Sequence, residues 1–345
     1  MSETEEIRMP DVGALLVSSS PHLHAPMNVR RIMLIVILTL LPACAMGVLY
    51  FGWPALWVLG VSTVSCVVFE ALFNRMMGKP STLGDLSAVL TGVLLGMNLS
   101  AATPWWVCVI GGLLAMGLGK HIYGGLGYNP FNPALVARVG LLIAFPGHLT
   151  TWVPPDGGQW AVRLGDGAAM DAVTTATPLY VIPTALRGGG TVDYSYLDYF
   201  LGRMGGCIGE TSAAALLLGG IVLIALRLIR WEVPVAFIGT VFAVTGLVYV
   251  TAPGTQPTPL FHILAGGLFL GALYMATDMV TSPMTKTGAL VFGVGCGLVT
   301  CVIRIWGSYP EGVSFAILFM NALVPLIDRY TRRRPFGAAT AKTAA

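Results

Sequence analysis

Charge is scarce in this sequence. Only 10% of its 345 residues are Asp, Glu, Lys or Arg, whereas soluble domains carry about 25%, so an ordinary soluble domain is excluded. A disordered chain combines high net charge with few apolar residues, and that is excluded too. The net charge of +3 is too small and too scattered for a nucleic-acid partner. Ligand spacings are also missing. The six cysteines, at 44, 66, 108, 207, 296 and 301, contain no CxxC pair, and five fall in apolar runs. They read as small buried hydrophobes rather than a disulfide framework, a metal site or a redox pair. The five histidines show no metalloenzyme spacing. There is no phosphate loop, no GxSxG elbow and no triad pattern, and the GGLG at 124–127 has no strand-and-helix unit around it. No complete active site is expected in this chain alone. What is abundant is apolar surface, with 55% hydrophobic residues and a mean hydropathy of +0.78. A bilayer is the solvent that suits it.

A membrane span needs about 20 mostly apolar residues. Ten runs qualify, at 32–50, 54–73, 84–99, 104–119, 130–145, 209–226, 233–250, 261–277, 288–306 and 313–328. The third, fifth and eighth are short or interrupted by Gly, Asn and Pro, which membrane depth tolerates only where protein or a cavity covers the broken backbone. The first run follows a long polar stretch and lacks a small-residue cleavage site, so it is not a signal peptide. With the N-terminus in the cytoplasm, fourteen Lys and Arg fall in inside connections, only Arg163, Arg187 and Arg203 fall outside, and Arg138 and Arg304 lie in or at the edge of spans. Such segregation predicts cytoplasmic termini. The expected division is a cytoplasmic segment 1–29, a five-span half 30–145, an external loop 146–206, a second five-span half 207–330 and a basic tail 331–345 suited to anionic lipid. Five is odd, so the halves run in opposite senses, an arrangement common in transporters. The fold class predicted is an all-α polytopic membrane protein: about ten helices in two inverted five-helix repeats, some of them broken. LTGVLLG at 90–96 and AGGLFLG at 265–271 echo each other faintly.

Five charges stand where hydrocarbon is expected: Glu70, Arg138, Asp278, Arg304 and Asp328. Such residues cost about 2.5–3.5 kcal/mol on insertion scales and should face one another or water. Glu70 and Asp278, both in the cytoplasmic half, are the better ion-path candidates, while Arg304 and Asp328 sit near span ends. GKHIYGGLGYNPFNPALVAR (119–138) predicts a half-helix starting near Pro130 or Pro133. Its first amides, with Asn129 and Asn132, would suit an anionic or carbonyl-rich ligand, and the competing reading is a cap and turn. In the external loop, DAVTTATPL (171–179) ends its hydroxyl run at Thr177 before Pro178, which spacing alone reads as a Ser/Thr turn or helix cap.

FEALF, GKHIYGGLGYNPFNPAL, the Ala-Thr-Pro-Leu end of the loop motif, GET at 209–211, MATD, YPEG and AILFMN together make the chain similar to a known family. From SSSPH onward it resembles the D subunits of Rnf-type ion-translocating electron-transport complexes and, more distantly, the B subunits of the Na+-translocating NADH:quinone reductases; the short N-terminus favours the former. The resemblance implies FMN joined through its phosphate to a threonine by a separate flavin transferase, and by motif the acceptor is Thr177. The family's Asp-Gly/Ala-x-Ser-Gly-Ala-Thr pattern is kept at Asp171, Ala172, Ala176 and Thr177. It departs at Thr174 and Thr175, which makes Thr175 a decoy acceptor. The resemblance also implies a non-covalent riboflavin with Asn129 and Asn132 as polar contacts, and it carries Glu70, Asp278 and Asp328 over as acids of ion uptake.

On that resemblance the chain is expected in the bacterial inner membrane, with loop 146–206 periplasmic. It would relay electrons between ferredoxin-linked and NAD-linked subunits (A, B, C, E and G being its partners), coupled to Na+ or H+ movement. The alternative is a flavin-free channel or secondary transporter for a small solute, which explains the topology but gives the DAVTTATPL loop no task.

Overall fold

A computed structural model describes residues 27–153, 177–188, 195–307, 309 and 311–332. The segment before Met27, most of the expected external loop (including Asp171, Ala172, Thr174, Thr175 and Ala176) and the tail beyond Arg332 lie outside the described residues. The described chain is helical, with no strand. It belongs to the all-α membrane class that its composition requires.

Among the described residues, five helices are long and apolar enough to cross a bilayer unaided: α1 (Val29–Phe51), α2 (Trp53–Met76) and, later in the chain, α8 (Glu232–Thr251), α10 (Lys286–Trp306) and α11 (Val313–Tyr330). At 1.5 Å per residue each reaches about 27–36 Å, against a hydrocarbon core of about 30 Å. The other expected spans are shorter or interrupted. Between α2 and α8 come α3 (Ser87–Met97), α4 (Trp105–Met116), α5 (Pro133–Ala144), a short α6 (Pro178–Arg187) and α7 (Ala213–Ala225); α9 (Pro259–Leu264) precedes α10. Local chemistry sets several boundaries. Asn28 caps α1 by accepting from Arg31 N at 2.9 Å, and Gly52, at φ +71°, turns the chain between α1 and α2. Asn132 caps α5, whose first position is Pro133, the ring pre-setting φ for a helix. The expected start near Pro130 or Pro133 is thereby fixed at Pro133.

The two halves pack by the same scheme. In the first, α2 lies on α3 and α4, and α4 lies on α5; in the second, α8 lies on α9 and α10, and α10 lies on α11. The halves meet where α1 packs on α7 and α5 on α11. The third helix of each half is broken: α3 stops at Met97, and α9 stops at Leu264, where Ala265 is extended and Gly266 sits at φ +79°. The glycine echo does not mark matching places. LTGVLLG lies inside α3, whereas AGGLFLG straddles the break after α9. Gly92 and Gly96 serve packing instead, since a Cβ on either would lie 2.5 and 3.1 Å from the Thr63 and Leu59 Cα atoms of α2. A closer match is HIYG (121–124) after α4 and RIWG (304–307) at the end of α10.

After α4 the helix loosens into a π turn at Gly117–His121, with Ile122 N donating to Gly117 O at 3.0 Å. The added residue rotates the following side chains relative to a regular helix. Lys120 and His121 consequently face the interior, with Lys120 only 2% exposed. Sequence reasoning placed Lys120 among solvated inside-loop cations; the π turn removes it from that set. Gly119 makes room for α5, because a Cβ there would meet Pro133 Cα at 2.7 Å. A second π turn, Gly271–Met275, follows the short turn 268–270 in the other half.

Candidate functional site

One end of the bundle carries the connections 77–86, 122–132, 226–231 and 276–285, and here two acids of interest lie. Glu70 on α2 is fully buried. Its Oε1 accepts from Lys120 Nζ at 2.7 Å and from Thr82 Oγ1 at 2.5 Å, while Oε2 has no partner among the described residues. Lys120 Nζ also donates to Ser87 Oγ at 2.7 Å. Each hydroxyl is held by another group: Asn74 Nδ2 donates to Thr82 Oγ1 at 2.8 Å, and Ser87 Oγ donates to Asp85 Oδ1 at 2.6 Å. Glu70 is therefore not a free intramembrane carboxylate. It is half of a buried ion pair whose hydroxyl partners are themselves oriented.

Lys120 and Ser87 line a cleft of about 60 Å3 together with Thr91, Asn129, Asn132 and Asp278. Asn129, Asn132 and Asp278 are thus brought to one place from two halves of the chain. Asp278 is half-buried and accepts from Thr281 Oγ1 at 3.2 Å and from Val280 N at 3.5 Å. Both asparagines are already engaged. Asn129 Oδ1 accepts from Gly127 N and its Nδ2 donates to Phe131 O. Asn132 Oδ1 accepts from Ala134 N and Leu135 N, and its Nδ2 donates to Met275 O at 3.3 Å. The first amides of α5 are consequently spent on their own cap, contrary to the expectation of free donors for a ligand. Asp328 stands apart near the end of α11, where Oδ1 accepts from Met284 N at 3.0 Å.

A polar thread leads from this cleft to the other end. Asn98, at the break after α3, donates through Nδ2 to Met275 Sδ at 3.6 Å and accepts through its carbonyl from Cys207 Sγ at 3.1 Å. Cys207 stands in a cluster with Glu210 and Glu311, their ligand atoms within 4.8 Å of one another. Arg138 on α5 donates from Nη2 to Glu311 Oε2 at 3.0 Å and approaches Cys207 Sγ at 3.6 Å. The guanidinium already supplies positive charge there, so the cluster is read as a buried charge network rather than a metal centre. Arg304 on α10 donates to His262 O at 2.6 Å and Ala265 O at 3.4 Å, closing carbonyls left open where α9 ends. Arg304 thus ties α10 to the end of α9, a pairing between helices of the kind expected for a charge near a span end.

Thr177 lies at the same end, immediately before α6. Leu179 and Ile182 of α6 pack on Phe261 and Ala265 at the end of α9, and Arg187 Nη2 donates to Ile305 O at 2.8 Å. Thr177 occupies the capping position of α6, yet its side chain makes no cap bond. Its Oγ1 is buried without a partner among the described residues. Thr177 is thus the cap residue by its backbone, its carbonyl accepting from Tyr180 N at 2.9 Å and Val181 N at 3.1 Å, while the side-chain cap bond that spacing favours does not form.

Lys120, Glu210 and Glu311 escaped sequence reasoning as site residues. GET and YPEG entered only as signs of resemblance, and their acids sit near span ends, where a carboxylate is ordinary; their proximity to Arg138 arises only in three dimensions. The one signal in the sequence was Arg138 itself, a buried cation in need of an anion.

Comparison with known proteins matches residues 16–337 to the NQR2, RnfD, RnfE family. The D subunit of an ion-translocating oxidoreductase complex from Stutzerimonas stutzeri is 45% identical, covering 90% of this chain and 92% of that one. The D subunit of the Na+-translocating ferredoxin:NAD+ oxidoreductase complex from Acetobacterium woodii is 42% identical over 95% and 97% of the two chains. Its counterpart in the proton-translocating ferredoxin:NAD+ oxidoreductase complex of Clostridium ljungdahlii is 43% identical over 93% and 96%.

Proposed function

The chain belongs to the NQR2, RnfD, RnfE family, and from that premise we propose that it is the D-type membrane subunit of an ion-translocating ferredoxin:NAD+ oxidoreductase complex. In this reading it carries FMN esterified through phosphate to Thr177 and relays electrons at a periplasmic face, while a monovalent cation passes through the bundle. Its place is the inner membrane, with both termini cytoplasmic, alongside the other subunits and after maturation by a flavin transferase.

The observation that carries the proposal is the state of Thr177 Oγ1, a buried hydroxyl without a hydrogen bond at the start of a ten-residue helix. Ser62, Thr103 and Thr300 also carry buried hydroxyls without a partner among the described residues. Of these four only Thr177 stands at the cap of a helix, where an oxygen free of its cap bond fits a covalent link. A helix N-terminus also favours the negative charge of a phosphate. When bound, the flavin would supply electron transfer at that end. The chain's own contribution is to hold the attachment point rigid: α6 is pinned by Leu179 and Ile182 below and by Arg187 at its far end.

At the end that carries Glu70 and the exposed Arg75, Lys79, Arg227 and Arg230, the basic end, Glu70 and Asp278 are the acids through which a cation would be taken up. Asp328, outside the cleft lining, is assigned no step. No step is assigned to a riboflavin at Asn129 and Asn132 either. Ligand pockets run to about 300 Å3 or more, while this cleft is about 60 Å3 and its asparagine amides are engaged. The Na+- and proton-translocating relatives match this chain almost equally, at 42% and 43%, so overall similarity favours neither cation.

The test is covalent flavin. Protein made in a host with the flavin transferase should fluoresce as a flavoprotein in a denaturing gel, with the mass increment on the peptide spanning residues 164–187. Thr177→Ala should abolish the signal and Thr177→Ser should keep much of it. An unmodified wild-type peptide from the working complex would overturn the relay.

A further inference from the structure

The relay reading leaves one feature of the basic end without a use: the cleft is lined by Lys120 but not by Glu70. The ammonium stands between the cleft and a carboxylate that has no exposed surface. A carboxylate has about four acceptor sites, yet here every donor falls on Oε1 and Oε2 is left buried and bare. An ion pair whose only task is structural should have its remaining oxygen satisfied, because an unpaired buried acceptor is a standing cost. The surrounding oxygens, Glu70 Oε1 and Oε2, Thr82 Oγ1 and Ser87 Oγ, are the hard ligands that a small monovalent cation takes. Lys120 thus occupies the position in which such a cation would sit.

We propose that Lys120 is a tethered surrogate for the coupling cation. Its ammonium neutralises Glu70 while the site is empty of ion, an arriving monovalent cation displaces it into the cleft, and it returns when the ion leaves. Each exchange trades one positive charge for another at Glu70, so no stage leaves the buried carboxylate bare. The displaced ammonium finds the Thr91 hydroxyl and the Asp278 carboxylate lining the cleft that it enters. Asp278 has a hydroxyl and an amide as partners and no ion pair among the described residues. His121 flanks the pair, its ring 5.4 Å from that of Phe73 and its two nitrogens buried without partners among the described residues. The inference rests on the reading of Glu70 as an ion-path acid and adds the group that competes with the ion.

The experiment is a cation count on the assembled complex. Lys120→Met and the more polar Lys120→Gln should each create a site: either one additional 22Na+ retained at equilibrium per copy of this chain, with affinity raised about tenfold or more by loss of the neighbouring ammonium, or a protonated-carboxyl infrared band absent from the wild type. The Glu70→Gln change made on top of either should remove the gain, and Lys120→Arg, which keeps the charge, should behave as the wild type. A complex that assembles with Lys120→Met or Lys120→Gln and gains neither signal overturns the proposal, as does a gain that survives Glu70→Gln. Flavin fluorescence at Thr177 in the same samples reports on the relay separately: its loss would count against that reading and leave the cation count to decide this one.

Discussion

Arg138 shows how one residue can bind the two halves together electrically. It lies on α5, is 3% exposed, and reaches across to Glu311 and Cys207 in the second half. Removing one partner of a buried pair costs about 3–5 kcal/mol, because the other charge is left unpaired in low dielectric. Arg138→Leu should destabilise the protein at the lower end of that range, Glu311 being 15% exposed, and the double change Arg138→Leu with Glu311→Leu should recover much of the loss. Thermal unfolding in detergent, followed by tryptophan fluorescence, checks both; equal losses for the single and the double variant would show that the pair is not what holds the contact. The sequence made the charges legible but not their partners. Glu70, Arg138 and Arg304 stand out against an apolar background, whereas Lys120 looked like one more cation in a glycine-rich loop. Its burial depends on the π turn, a feature that no spacing rule detects.

At the scale of elements, legibility followed length. The five long helices announce themselves because about twenty apolar residues have few alternatives. The short ones are less uniform: the start of α5 was legible in Asn132 and Pro133, whereas the seat of α3 rests on Gly92 against Thr63 and the end of α9 on Arg304 at its carbonyls, contacts that come from elsewhere in the chain. Gly92 offers a sharp test. A Cβ there meets backbone, Thr63 Cα at 2.5 Å and Ser62 O at 2.9 Å, while a Cβ on Gly60 of the neighbouring α2 meets nothing within 4 Å. Gly92→Ala should therefore cost about 1–3 kcal/mol by overpacking. Gly60→Ala should be neutral or stabilise by about 0.5–1 kcal/mol, since alanine loses less backbone freedom in a helix. The measurement is the midpoint of unfolding for the two variants side by side. Similar midpoints would mean that α3 can slide on α2, and that the break after Met97 is set by something other than this contact.

The molecule as a whole has two ends with different chemistry, and function depends on which end faces the cytoplasm. Arg75, Lys79, Arg227, Arg230 and Arg329 are exposed at the end carrying the Glu70–Lys120 pair, whereas Arg187 and Arg203 are the exposed cations of the end carrying Thr177 among the described residues. Short connections rich in Lys and Arg stay in the cytoplasm, so the cleft with Lys120 and Asp278 should open inward and Thr177 should lie outside. Site-directed labelling decides this cleanly because Cys66, Cys108, Cys207, Cys296 and Cys301 are buried and Cys44 is half-buried, which keeps background low. Thr150→Cys marks the Thr177 end and Met284→Cys the other; both positions are exposed. A membrane-impermeant maleimide added to intact spheroplasts should label the first and spare the second, and opening the membrane should label both. The reverse pattern would put Thr177 in the cytosol, where a flavin on it could not receive or deliver electrons at the periplasmic face. In that case the charge asymmetry would have to reflect contacts with partner subunits rather than orientation in the bilayer.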